Sequence, residues 1–377
     1  MSNGVAHTMR TAGLAQPAPA PQLCIPPHAA GLCTAINQRF HVHSGRQRRK
    51  ISLVVTQTSP VDADLASATV RQVLWIGPVA AGLALVLSLV GGVSSSTPDV
   101  PVWVLVIAAI ALAAGIPHGA VDHLLLRSVL SPRNYILLGL AYLAIAAAAT
   151  AAILLAPGPA FVVVIAMTVW HFGSGDVEAW RTLTHDQGAP RLWLRIILVL
   201  AAGGAPVVLP LTSPAAMATL HSLNPSLATW WSAPATTGVR IIILVAVVLA
   251  TLLLLHLQRP WAAIQLMILA ALGIFAAPLL AFAVYFGAWH ALRHTARLAQ
   301  VRNGTITWHG IAQVTATGLP ALLGSVIFVG AALVFSGGFS AIAAWLWVGL
   351  ALVWGLTVPH MVLVERFDRH IKHLGAV

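Results

Sequence analysis

The chain has 377 residues, of which 59% are hydrophobic and 8% charged, with a mean hydropathy of +0.88. Soluble domains carry about a quarter charged residues. This composition cannot coat a water-facing surface, which excludes a soluble globular protein and leaves an all-α integral membrane protein. A formal net charge of +11 does not signal nucleic acid here. Lys and Arg fall mostly in short segments between apolar stretches, where membrane topology and lipid headgroups account for them.

Residues 1–70 are rich in Pro, Ala, Gln, Ser and Thr, and contain "PAPAPQ" and the basic run "GRQRRK". They read as a disordered tail without the pattern of a signal peptide. Cys24 and Cys33 lie in this tail, match no zinc spacing, and read as reduced thiols. Residues 71–377 form one membrane domain.

From Val70 onward, apolar runs of bilayer-spanning length follow one another, separated by Pro, Gly, Ser or Arg punctuation. The expected spans are about 72–93, 102–127, 134–156, 159–178, 191–211, 238–257, 260–276, 279–300, 311–336 and 340–366. That is a polytopic bundle of about ten transmembrane helices. Eight or nine stays open, because the seventh is short and shares a Pro-marked junction with the eighth. The segments 94–101, 157–158, 212–237, 277–278 and 337–339 lack Lys and Arg, while the alternate segments carry Arg. By the positive-inside rule the Arg-bearing loops and both termini are cytoplasmic, in a multi-pass protein of the cell membrane. Segment 212–237 is too polar to span and reads as an external loop with Trp230 and Trp231 at the interface.

Ionisable groups inside membrane spans mark function. Four blocks carry them: "GIPHGAVDHLLL", "WHFGSGDVEAW", "WHALRH" and "TVPHMVLVE". All four helices run from outside to cytoplasm. At about 1.5 Å per residue, His171 and His290 lie about 17–18 Å below the outer ends of their helices, and His118 and His294 about 23–24 Å. These four share one layer in the inner half of the bilayer, whereas His360 falls deeper, at about 30 Å.

His290 and His294 are at i and i+4 and project from one helix face, the arrangement in which two imidazoles grip one metal ion. His118 and Asp122 have the same spacing, so Asp122 is a candidate to orient that imidazole, and Asp176 follows His171 in a similar role. Four imidazoles without a cysteine disfavour structural zinc or an iron–sulfur centre and suit a redox-capable iron or copper. His123 and His256 read as structural or interfacial. Arg293 and Arg297 are expected to snorkel to the cytoplasmic headgroups.

"GIPHGAVDH", "WHFGSGD", "WHALRH" and "PHM", in this order over about residues 70–370, resemble the bacteriorhodopsin-related protein-like (Brp/Blh) family. Its members are membrane β-carotene 15,15′-dioxygenases, which cleave the central double bond to give two molecules of retinal. The resemblance implies Fe(II) held by His118, His171, His290 and His294, with a carotenoid and O₂ as substrates. It implies that Tyr285, Trp170 and Trp289 border the polyene channel. His360 matches a family block and is a candidate to support the site. Membrane lipids and a retinal-receiving rhodopsin are the implied partners; nucleic acid is not. The alternatives are a di-iron desaturase or hydroxylase, for which the chain lacks an HxxHH box, and a non-enzymatic haem or metal-binding protein or transporter.

Overall fold

Proline opens most of the helices, because its fixed φ suits the first turn and its missing N–H is not needed there. The computed structural model describes residues 60–97, 100–121, 130–184, 191–335 and 339–373. In chain order the helices are α1 (Pro60–Val90), α2 (Val102–Gly119), α3 (Pro132–Leu155), α4 (Pro157–Leu183), α5 (Leu192–Leu211), α6 (Pro214–Leu223), α7 (Leu227–Trp230), α8 (Ala233–His256) and α9 (Pro260–Phe275). A composite run follows: α10 (Pro278–Val284), a π-helical segment (Tyr285–Ala291) and α11 (Leu292–Asn303). The chain closes with α12 (Trp308–Phe335) and α13 (Phe339–His373). Pro132, Pro157, Pro214, Pro260 and Pro278 each stand at a helix start, and Ser131 and Ser213 cap two of these by accepting backbone N–H groups.

Each of the ten expected spans has a helical counterpart. Eight described helices are long and apolar enough to cross a bilayer by themselves, and Pro260–Phe275 is a shorter apolar helix. The eighth expected span is the composite run, divided by its π-helical segment. α1 starts at Pro60, inside the segment expected as a tail; Cys24 and Cys33 lie outside the described residues. α2 ends at Gly119, earlier than expected, and Asp122 and His123 lie outside the described residues. Arg240 sits near the start of α8, just past segment 212–237, which lacks Lys and Arg.

The loop 212–237 holds α6 and α7. Its two tryptophans part company: Trp230 is exposed, but Trp231 is buried, with its ring 5.6 Å from that of Phe161. Trp231 therefore belongs to the core and not to the interface, because α7 turns it back onto α4.

Helices in a membrane gain little from the hydrophobic effect on one another, so close packing of small residues carries their association. The α4–α5 crossing shows this reciprocally. A Cβ at Gly173 would run into the Val199 carbonyl, and one at Gly203 into the Val169 carbonyl. Neither backbone could approach as it does with a side chain at that point, and His171 lies two residues from the contact. Gly203→Leu is accordingly expected to force the helices apart at a cost on the order of 3 kcal/mol. It should lower the melting temperature of the detergent-solubilised protein; unchanged melting would mean the crossing is not this tight.

Candidate functional site

Helices α2, α4 and α13 and the composite α10–α11 run bring five histidines together. His118, His171, His290, His294 and His360 are all buried. Their ring centroids lie 5.5 Å (His118–His290), 5.6 Å (His118–His294), 5.6 Å (His118–His360), 5.4 Å (His171–His290), 5.0 Å (His171–His360), 6.3 Å (His290–His294) and 6.1 Å (His294–His360) apart. His290 and His294, on one face of the run, stand nearly parallel, 11° between planes.

The reading of the sequence puts His360 deeper than the other four, yet its ring stands among theirs, so depth counted along a single helix does not place it.

The donor set fits a metal ion by two tests. Nε2 of His171, His290 and His294 is buried without a hydrogen-bond partner, in an interior where an unsatisfied polar atom is expensive. The separations also fit. With a metal–nitrogen bond of about 2.0–2.1 Å, two imidazoles sharing one ion place their ring centres roughly 4.5–6.4 Å apart, which spans every distance above. Among the described residues no three side chains already surround a common point at ligating distance, so an ion would have to draw the rings inward.

One ring is held from behind by a hydrogen bond, and a second faces a carboxylate. His118 Nδ1 donates to the carbonyl of Gly115, which makes Nε2 its lone-pair nitrogen. His290 Nδ1 faces Asp176 Oδ1 at 3.6 Å, and Asp176 Oδ2 accepts from the Tyr285 hydroxyl at 2.9 Å. The 3.6 Å gap is longer than a hydrogen bond, but a carboxylate in this place behind an imidazole is the arrangement that orients ligands in metal sites.

The aromatic neighbours of the cluster are Phe172, Phe286 and Tyr285. Phe172 lies 4.4 Å from the ring of His290, and Phe286 5.2 Å from that of His118. Phe282 extends this wall by stacking on Phe286. Among the residues expected to border a channel, Tyr285 is fully buried beside Asp176 and Trp170 is 40% exposed. Trp289 packs against Gly77 of α1. The phenylalanines carry no polar mark in an apolar sequence, and only helix pairing reveals them.

Beside the histidines an apolar groove of about 680 Å³ runs between α1, α2 and the composite run, within the usual size range of small-molecule sites. Small side chains line it, including Ala80, Ala84, Ala111, Ala114, Ala288 and Ala291. Ala114 stands one turn before His118, and Ala291 is next to His290. Gly287 supports this wall, since a Cβ there would run into the Ala111 carbonyl.

A family model described as Beta-carotene 15,15'-dioxygenase matches residues 109–368. The chain is also similar to the "Probable beta-carotene 15,15'-dioxygenase Blh" of Halobacterium salinarum. The two are 27% identical over 348 residues, which covers 82% of this chain and 96% of that relative. No solved structure matches the chain.

Arg293 corrects a sequence-based expectation. It does not reach for headgroups but is buried, donating to Gln265 Oε1 at 2.8 Å and to the Leu74 carbonyl at 3.3 Å, with its guanidinium 4.3 Å from the centre of the Trp289 ring. It thereby ties α1, α9 and α11 together behind the histidine face. Gln265 is the lone amide in α9, and that was the available signal. Gln265→Leu keeps the volume but removes an acceptor from a buried cation. A loss of about 2 kcal/mol is expected, read as a lower melting temperature without a change in membrane insertion.

Proposed function

The chain belongs to the β-carotene 15,15′-dioxygenase family, and from that premise we propose that it cleaves the central double bond of β-carotene or a close carotenoid. One C=C bond breaks, and each atom of O₂ ends in one of two retinal aldehydes. The observation that carries this reading is the meeting of His118, His171, His290 and His294 in one apolar layer beside a groove built for an apolar ligand. These four residues would hold Fe(II). Bound there, the ion supplies the one-electron chemistry that lets O₂ react with a closed-shell alkene.

The residues around it do the rest. His118 keeps its Nδ1 proton on Gly115, so its other nitrogen is presented inward. Asp176, steadied by Tyr285, holds His290 in one orientation. Phe172 and Phe286 cover one side of the imidazoles and keep water from them. The polyene approaches sideways from the lipid through the groove between α1 and α2. It has no hydrogen bonds to offer, so its position is set by how far it slides and not by polar contacts. No side chain needs to move a proton in this reaction, in keeping with a site whose carboxylate lies behind a ligand.

The Arg-bearing ends of the helices face the cytoplasm in this reading, in the cell membrane, and the product leaves into lipid, where a rhodopsin could receive it.

Expression of the full chain in cells that accumulate β-carotene should produce retinal and bleach the cells, and the purified protein should hold about one iron per chain. Two irons per chain would favour the di-iron alternative. Carotene that persists in iron-replete cells, with the protein in the membrane, would sink the proposal. His290→Ala should insert normally yet lower cleavage by more than about 100-fold, beyond the loss typical for an outer partner of a ligand. Ala80→Trp, on the wall of the groove and outside the histidine cluster, should lower kcat/KM at least roughly tenfold by filling space the substrate needs. Its iron content should stay at the wild-type level; wild-type turnover in this variant would place the substrate elsewhere.

A further inference from the structure

We propose that His360 is a fifth nitrogen ligand of the same ion. This rests on the proposed metal site and extends it to α13.

The argument is one of equivalence. His290 lies 5.5, 5.4 and 6.3 Å from the rings of His118, His171 and His294. His360 lies 5.6, 5.0 and 6.1 Å from the same three rings. The geometry that admits His290 to the site admits His360 on equal terms, and the His171–His360 pair is the closest of the imidazole pairs described above. Both are nearly closed off from solvent, His290 at 2% exposure and His360 at 4%.

The local structure of α13 is built to place this ring. Pro359 has no N–H to donate to Gly355, so the helix lacks one backbone hydrogen bond just before His360. α3 packs against this turn. A Cβ at Gly355 would run into Thr150 Oγ1, and the Tyr142 hydroxyl donates to the Leu356 carbonyl at 3.2 Å. Next to the cluster, Gly119 leaves room for the imidazole, since even an added Cβ would stand 4.0 Å from His360 Nδ1. A ring that only bridged two helices would not need the same three neighbours as a ligand.

Five imidazoles also suit the substrate. A polyene has no atom with which to ligate a metal, so the ion needs fewer open positions than one that binds substrate and O₂ together.

Direct ligation can be read by exchanging the donor for sulfur. The full-length protein in detergent is loaded with cobalt(II) as wild type, His290→Cys and His360→Cys. Both variants are expected to show a thiolate-to-cobalt charge-transfer band in the near ultraviolet that the wild type lacks. Cobalt bound at the wild-type level by His360→Cys without that band, while His290→Cys shows it, would overturn the inference and leave the four-histidine site standing. Absence of the band from both loaded variants would remove the underlying site as well. Should His360→Cys not load, His360→Ala decides. Metal lost to a chelator at least tenfold faster than from wild type, with unchanged melting of the metal-free protein, supports ligation; loss within twofold of wild type refutes it.

Discussion

Hydrocarbon offers no hydrogen bonds, and every polar group inside this bundle must find its partner in the chain or in something the chain binds. Many of its side chains do so. Threonine hydroxyls turn back onto carbonyls of their own helices, as Thr150, Thr168 and Thr212 do. Arg293 takes Gln265 and a carbonyl of α1, and Tyr285 takes Asp176. Other buried atoms also lack a partner, Arg293 Nε and Trp289 Nε1 among them, but the unbonded Nε2 atoms of His171, His290 and His294 belong to rings gathered in one cluster. Nitrogen lone pairs left unused at the meeting point of several helices are what a metal site requires of its protein.

The same interior explains how the histidines come close enough. Where lipid tails are as apolar as leucine, backbones approach by dispensing with side chains. Gly173 and Gly203 draw α4 onto α5, and Gly287 draws the π-helical segment onto α2. Each of these contacts lies within a turn of a histidine, so the tightest crossings of the bundle double as the supports of its polar centre. The groove on the neighbouring face is lined by alanines among larger aliphatic side chains, and the small residues that permit approach on one side leave open volume on the other. Site and groove are thus two outcomes of one distribution of small side chains.

The helices were legible because prolines and arginines punctuate them, and four histidines because depth follows from length. His360 escaped the layer because depth counted along one helix says nothing of how that helix is set against the others, and only packing brings its ring beside His118 and His171. Arg293 was misread because snorkelling treats an arginine as alone, whereas Gln265, some thirty residues earlier, supplies its partner within the membrane. Phe172 and Phe286 were missed for the opposite reason: nothing in an apolar run distinguishes the phenylalanine that meets a histidine from the one that meets lipid. These failures share one cause. A single sequence gives the phase within a helix but not which helix lies beside it.

The π-helical segment shows what lies beyond periodicity altogether. In an α-helix, residues five apart point about 140° away from each other. Tyr285 and His290 are five apart, yet both reach the two oxygens of one carboxylate, Asp176. The i→i+5 bonding of a π-helix widens the turn so that such residues share a face. The segment Tyr285–Ala291 spans the interval between them, and the helix returns to α geometry at Leu292, before His294. Were Tyr285–Ala291 α-helical, Asp176 could orient His290 or accept from Tyr285, but one of the two would turn toward another helix. π-helical turns are rare and recur at functional sites, and here the gain is definite: one carboxylate, itself fixed by a hydroxyl, standing behind one imidazole. The departure from regular helix at "YFGAWHA" is therefore part of how the site is built.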